Sequence, residues 1–157
     1  WHGDMVDTYR LEGAKHAIVA IGSIAAESRV AVDRLREEGH DVGLLRVRFF
    51  RPFPIIELRE LCGELEDLLV IDRNYSYGME GALFTEVKGA LYRYVDIPAW
   101  DLIVGLGGRD VSHELIREMA LRAWDGELGE ITWGDTHITD AHRVTLECLQ
   151  EFDEVPE

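Results

Sequence analysis

Cysteine is scarce in this chain: Cys62 and Cys148 are the two cysteines among 157 residues. Neither belongs to a C-x-x-C pair, which excludes a disulfide framework and any zinc knuckle or iron–sulfur cluster built from this chain alone. Such usage predicts a reducing compartment, and we expect a cytoplasmic protein. Cys62 falls on the apolar stripe of a short predicted helix, so we interpret it as a buried structural thiol.

Basic residues are also few, because 16 Lys and Arg stand against 31 Asp and Glu and leave a net charge of −15. Nucleic acids and anionic membrane surfaces need positive side chains to neutralise their phosphates, so this balance disfavours both as partners. No apolar run approaches the ~20 residues that cross a bilayer. The first residue is Trp1 and no basic, apolar leader follows it, which predicts a piece of a longer polypeptide rather than a signal peptide.

The chain does contain a regular alternation of short apolar runs and amphipathic stretches. The runs predict four strands, at residues 17–21, 42–49, 68–71 and 100–104, and apolar residues at helical spacing follow each one. Ser23 is a predicted cap of the first helix, and Asp110 or Ser112 of the last. Four such βα units predict a parallel sheet with helices on both faces.

The ends of the chain have a different character. Residues 1–15 carry no clear period and are interpreted as a lead-in segment that could add an edge strand. Residues 16–126 hold the βα units, and residues 127–157 form an acidic C-terminal arm with a modest amphipathic stretch at 140–152. We expect the arm either to pack on a neighbouring domain or to be a frayed end.

Three elaborate loops follow the second, third and fourth predicted strands, at residues 48–54, 72–81 and 105–110. Because the carboxyl ends of parallel strands meet at one edge of a sheet, we expect the loops to lie together. Each contains an arginine that could reach a shared partner at this edge: Arg51, Arg73 and Arg109. Three guanidinium groups could bind a carboxylate or phosphate, or could pair with Asp72, Glu80 and Asp110 across a seam between domains. The aromatic neighbours of Arg51 favour the seam; they are Phe49, Phe50 and Phe53.

Other possible sites are weaker. The glycines of the third loop lack the spacing and position of a nucleotide fingerprint, so a tight turn with positive φ is favoured over a phosphate site. His137 and His142, five residues apart, do not share a helical face, which favours a polar tail over a metal cluster with Asp135 and Asp140. We find no nucleophile–base grouping and no catalytic residue on this chain.

Taken in order, the loops and strands resemble a known family. Residues 16 to about 124 are similar to the transketolase C-terminal-like domain, domain II, of the alpha chain of pyruvate/2-oxoacid:ferredoxin oxidoreductases. The resemblance depends on four segments in this order: AIVAIGS, LRVRFFRPFP, LLVIDRNYSYGMEGALFTEVKGAL and IVGLGGRDV. It implies a three-layer α/β/α fold with a mostly parallel five-stranded sheet, in which one strand is antiparallel.

The resemblance also implies a function for the whole complex. Such an enzyme decarboxylates pyruvate or a related 2-oxoacid oxidatively, typically to an acyl-CoA. It uses thiamine diphosphate, Mg²⁺, iron–sulfur clusters and coenzyme A, and it reduces ferredoxin. None of the cofactor motifs lies on this chain. The implied role is therefore structural: the domain helps to assemble other subunits or domains into an oligomer.

The matching loop residues are expected at an interdomain or subunit interface. They are Arg51, Pro52, Phe53, Arg73, Asn74, Gly78, Gly81, Gly107, Gly108, Arg109 and Asp110. Two alternatives stay open at this point. The chain could be the C-terminal domain of a transketolase or pyruvate dehydrogenase beta-type enzyme, or an independent regulatory module that binds an anionic metabolite.

Overall fold

Six strands and four α-helices make up residues 4–134, the part of the chain that the computed structural model describes. In chain order they are β1 (Val6–Tyr9), β2 (His16–Ile21), α1 (Ile24–Glu37), β3 (Val42–Val47), α2 (Ile55–Cys62), β4 (Asp67–Asp72), α3 (Ala82–Leu91), β5 (Ala99–Ile103), α4 (His113–Trp124) and β6 (Ile131–Trp133). No helix within this part is long and apolar enough to span a membrane.

All six strands join one sheet in the order β1-β3-β2-β4-β5-β6. The five strands from β2 to β6 run parallel to one another. β1 is the antiparallel edge, with Val6 opposite Val47 and Tyr9 opposite Leu44. The mostly parallel α/β fold class is therefore confirmed, and the lead-in segment supplies the edge strand.

The strand count is corrected from five to six. The additional strand, β6, pairs with β5, so that Ile131 lies opposite Asp101 and Trp133 opposite Ile103. It falls within the predicted acidic arm. A strand of three residues, exposed at both of its ends, is too short to show either an apolar run or a clear alternation. That is why no pattern in the sequence marks it.

Two hydrophobic cores lie on opposite faces of the sheet. Because side chains alternate along a strand, Ile18 of β2 packs with α1 and α4, while Val19 packs with α2 and α3. The apolar face predicted for α3 is buried as expected; it consists of Leu83, Phe84, Val87, Ala90 and Leu91. Burial on both faces explains why β2, β3 and β4 are apolar runs rather than alternating strands.

Helix ends agree with the sequence at two positions and disagree at one. Gly39, at φ 96°, follows α1 in the left-handed conformation expected there. Ser112 caps α4, since its Oγ accepts a hydrogen bond of 3.2 Å from the backbone N–H of Leu115. Ser23 occupies the N-cap position of α1, as predicted, but its side chain does not cap the helix. Ser23 has helical φ and ψ and makes no capping hydrogen bond with its side chain.

Cys62 is fully buried in the α2–α3 core, and its burial raises the pKa of the thiol to about 12. The thiolate is the reactive form, so Cys62 should not react with iodoacetamide in the native protein near neutral pH. We expect peptide mapping by mass spectrometry to find Cys62 unlabelled before denaturation and labelled after it. Rapid native labelling at Cys62 would contradict the packing. Cys148 lies outside the described residues, and mapping by peptide separates the two thiols.

Candidate interface at the carboxyl edge of the sheet

The three predicted loops leave the same edge of the sheet. Residues 48–54 follow β3, residues 73–81 follow β4, and residues 104–112 follow β5. All three strands are parallel within one sheet, so their carboxyl ends point the same way. We call these three segments the carboxyl rim.

Arg73 ties the second rim loop to the third. Its Nε donates to the carbonyl oxygen of Gly105 at 3.2 Å, and its Nη2 donates to the carbonyl oxygen of Arg109 at 3.2 Å. Gly105 is required for this approach. It has φ 70°, and a Cβ there would lie 2.9 Å from Arg73 Nε and 2.8 Å from a methyl carbon of Val111. Two of the predicted arginines are thus joined within one chain, through backbone carbonyls.

The first amide groups of α3 are satisfied by side chains. The N–H of Gly81 donates to Asp101 Oδ2 at 2.7 Å, that of Ala82 to Asn74 Oδ1 at 3.0 Å, and those of Leu83 and Phe84 to the two oxygens of Asp72 at 3.0 and 2.9 Å. A helix N-terminus binds a phosphate through its unsatisfied N–H groups. Here those groups are already taken, so this end of the rim does not offer a site to a diphosphate.

Gly81, the last residue of the second loop, lies directly against Asp72 at the end of β4. It is buried, and a Cβ at this position would overlap the carboxylate of Asp72. Asn74 and Gly81, two of the residues predicted at the interface, therefore act inside the loop. They fix how the loop joins α3 while the residues between them project outward.

Two buried carboxyl groups lie beneath this loop. Asp101 is 0% exposed, and its Oδ1 has no hydrogen-bond partner among the described residues. Its burial, with smaller contributions from the charges of Asp72 and Glu80, raises the pKa of Asp101 to about 7 despite the Gly81 hydrogen bond and the nearby Lys88. Burial also raises the pKa of Asp72, against the hydrogen bonds from α3. Asp101 is not among the site residues predicted from the sequence.

Arg51, in the first rim loop, has its acidic partner on α3. Its Nη2 lies 2.7 Å from Glu86 Oε1, and its guanidinium stacks 4.5 Å from the ring centre of Phe50. Phe53 meets Phe50 edge to face at 6.1 Å. Within the described chain the partner of Arg51 is thus none of the three acidic residues considered from the sequence. Glu80, one of them, pairs instead with Lys88 at 2.9 Å.

The third rim loop is a tight turn. Gly105, Gly107 and Gly108 have φ values of 70°, 68° and 83°, and a short 3-10 turn spans Leu106–Gly108. The turn is separated from α4 by residues 109–112, so its glycines do not face a helix N-terminus. The interpretation as a positive-φ turn is confirmed. Residues 107–110, which include four of the predicted interface residues, are exposed at the rim.

Residues 4–134 hold no group of three or more His, Cys, Asp or Glu side chains placed to bind a metal. The histidine and aspartate pairs considered from the sequence, at 135–142, lie outside the described residues. The first amides of α3 and the Nε and Nη2 atoms of Arg73 are hydrogen-bonded within the chain, so these groups do not form a site for the diphosphate of thiamine diphosphate.

Comparison with known proteins gives the family. Residues 14–116 match the model of the family described as pyruvate:ferredoxin oxidoreductase core domain II. The chain belongs to this family. The match covers β2 to the first turn of α4, and it includes all three segments of the carboxyl rim. This confirms the resemblance to domain II of a ferredoxin oxidoreductase alpha chain.

Two relatives of this domain II are oxidoreductase subunits by name. Ketoisovalerate oxidoreductase subunit VorA of Pyrococcus horikoshii is 44% identical over 120 residues, which cover 76% of this chain and 30% of the relative. Pyruvate synthase subunit PorA of Thermotoga maritima is 43% identical over 124 residues, which cover 78% of this chain and 32% of the relative. The chain therefore spans about a third of the length of these relatives.

Solved structures share the domain II fold at lower identity. A 2-oxoglutarate:ferredoxin oxidoreductase from Magnetococcus marinus superposes with a TM-score of 0.58 at 18% identity, covering 76% of this chain and 20% of that one. A split-gene transketolase superposes with a TM-score of 0.60 at 17% identity, covering 74% of this chain and 40% of that one. At these identities the likeness is one of fold.

Proposed function

We propose that this domain II is a non-catalytic assembly domain of a thiamine-diphosphate-dependent 2-oxoacid:ferredoxin oxidoreductase of the cytoplasm. The whole complex would convert pyruvate or a related 2-oxoacid, typically to an acyl-CoA. Thiamine diphosphate, Mg²⁺, iron–sulfur clusters and coenzyme A would be held by other domains or subunits, and ferredoxin would accept the electrons. In this proposal the carboxyl rim contacts neighbouring protein.

The observation that carries the proposal is where the described chain leaves the sheet. β1 is antiparallel, so it begins at the carboxyl rim, where the backbone N–H of Arg48 donates to the carbonyl of Met5 at 3.0 Å. β6 is parallel and ends at the same edge, where the N–H of Gly134 donates to the carbonyl of Ile103 at 3.0 Å. The described chain therefore both enters and leaves the sheet at the rim, and the residues before 4 and after 134 start from there.

The chemistry of the rim also favours protein over a small anion as its partner. The side-chain donors of Arg73 are directed at two backbone carbonyls, and the N-terminus of α3 is filled by carboxylates. The rim exposes Arg51 and Pro52 on the first loop, Tyr77 and Met79 on the second, and a glycine turn on the third. Arginine, methionine and aromatic side chains are enriched at protein interfaces.

Titration calorimetry of the isolated chain with thiamine diphosphate and Mg²⁺ tests this proposal. We expect no binding heat, because the first amides of α3 and the Nε and Nη2 atoms of Arg73 already bind groups within the chain. Saturable binding in the micromolar range would contradict a non-catalytic role. A thermal-shift series with nucleotides, coenzyme A and 2-oxoacids tests the alternative of a regulatory module. A shift that Arg51→Ala and Arg109→Ala abolish would favour that alternative.

A further inference from the structure

An aromatic surface lies at one end of the carboxyl rim. Tyr77 is 98% exposed and Met79 is 57% exposed, both in the loop between β4 and α3. The ring of Tyr75 lies 6.4 Å from that of Tyr77 and 4.8 Å from that of Trp133 in β6. We call these four residues the aromatic patch. Exposed large apolar side chains that cluster beside partly buried aromatic rings in this way mark interaction surfaces.

The loop that carries the patch is held in place from inside. The N–H of Ser76 donates to the carbonyl of Glu80 at 3.2 Å, and that of Met79 donates to the carbonyl of Ser76 at 2.9 Å. Gly78 supplies the positive φ, 75°, that this turn requires. The ends of the loop are fixed by the Arg73 and Gly81 hydrogen bonds described above. A surface ordered before binding loses little conformational entropy when it docks, which favours tight association.

The position of the patch indicates what covers it. Trp133 is the last residue of β6, so the described chain leaves the fold beside the patch. β1 also enters at the carboxyl rim, at the other end of the strand order. The relatives of this chain have more than two thirds of their length outside the matched region. Protein tethered at this edge has a high effective concentration there, and a companion subunit has no such advantage.

We propose that the aromatic patch is the docking site for the rest of this chain's own subunit, the polypeptide outside the present 157 residues. The inference rests on the proposed assembly function and assigns its partner. Tyr77 and Met79 insert into an apolar recess of that polypeptide, and Tyr75 and Trp133 form the base against which the recess closes. Tyrosine, tryptophan and methionine are the residue types enriched at the cores of such interfaces.

Site-directed photocrosslinking in the assembled, full-length complex tests the assignment. Tyr77 is replaced by p-benzoylphenylalanine, the complex is irradiated, and the crosslinked peptides are identified by mass spectrometry. We expect crosslinks to peptides of the same subunit outside the present sequence, with the subunit still at monomer mass on a denaturing gel. The matched control is the same replacement at Tyr92. That residue is 71% exposed just beyond the C-terminal end of α3, away from the rim, and should not give those crosslinks.

Several results would overturn the assignment. Crosslinks from position 77 to a companion subunit, to a second copy or to residues 135–157 would name a different occupant. Absence of any crosslink unique to position 77 would show an open surface. In each of these cases the assembly role could still stand, because that role is judged separately by cofactor binding to the isolated chain and by whether the chain enters a complex at all.

Discussion

Gly81→Ala should destabilise the domain by on the order of 3 kcal/mol or more. The backbone of Gly81, at φ −62° and ψ 147°, suits any residue, so the cost is steric. The new methyl group would overlap the carboxylate of Asp72. Moving Asp72 away would break its hydrogen bonds to the N–H groups of Leu83 and Phe84, which open α3. Such a loss is a large part of the 5–15 kcal/mol that typically holds a domain folded.

Urea unfolding followed by far-UV circular dichroism measures this effect. The matched control is Gly89→Ala in the same helix, where a Cβ meets no atom within 4 Å. That change should stabilise the protein by about 0.5–1 kcal/mol, because alanine is the better helix former. Equal and small effects of the two substitutions would contradict the close approach of Gly81 to Asp72.

The second large effect is a dependence of stability on pH that one buried carboxyl group dominates. The pKa of Asp101 is about 7 in the folded protein, against an ordinary value of 3.8. The folded state therefore binds the proton more tightly than the unfolded state. Stability from this group is fully present below about pH 4, falls as the pH rises through 7, and is constant above that. We expect the free energy of unfolding to fall by on the order of 2–4 kcal/mol between about pH 5 and pH 8.

Asp101→Asn isolates this contribution, because asparagine does not titrate and its carbonyl can still accept from the N–H of Gly81. The difference in unfolding free energy between wild type and variant should change with pH in the predicted direction. The pKa values of Asp67 and Asp72 are also raised by burial. Both groups therefore lower the stability as the pH rises, and they do so in wild type and variant alike. A pH profile that is identical in wild type and variant would refute the assignment to Asp101.

Much of the fold could be predicted because both faces of the sheet are covered. Double burial makes β2, β3 and β4 apolar runs, and the amphipathic stretches between them have the period of helices. β6 could not be predicted, since its three residues hold their place through pairing with β5 rather than through a pattern of their own. The missing side-chain cap at Ser23 could not be predicted for a related reason. The residue type suits a cap, but the cap depends on backbone angles that local sequence does not determine.

At the candidate site, sequence located the loops but not the contacts that shape them. Arg73 and Gly81 were identified by position, yet their partners, the carbonyl of Gly105 and the carboxyl of Asp101, are distant in the chain. The sequence does contain an indication that Asp101 belongs to this site. It is a lone acidic residue within the apolar run 100–104, and a charge buried in a strand needs a partner or a raised pKa. No pattern in the sequence predicts that Tyr77 is exposed.

Hydrogen exchange measured in the isolated chain and in the assembled complex tests most directly whether the carboxyl rim faces protein. We predict slower amide exchange in the complex at residues 48–54, 73–81 and 105–110, with no change at residues 92–98 at the far end of α3. Rim amides that exchange equally fast in both states would contradict the account. So would rim protection that appears when thiamine diphosphate is added to the isolated chain.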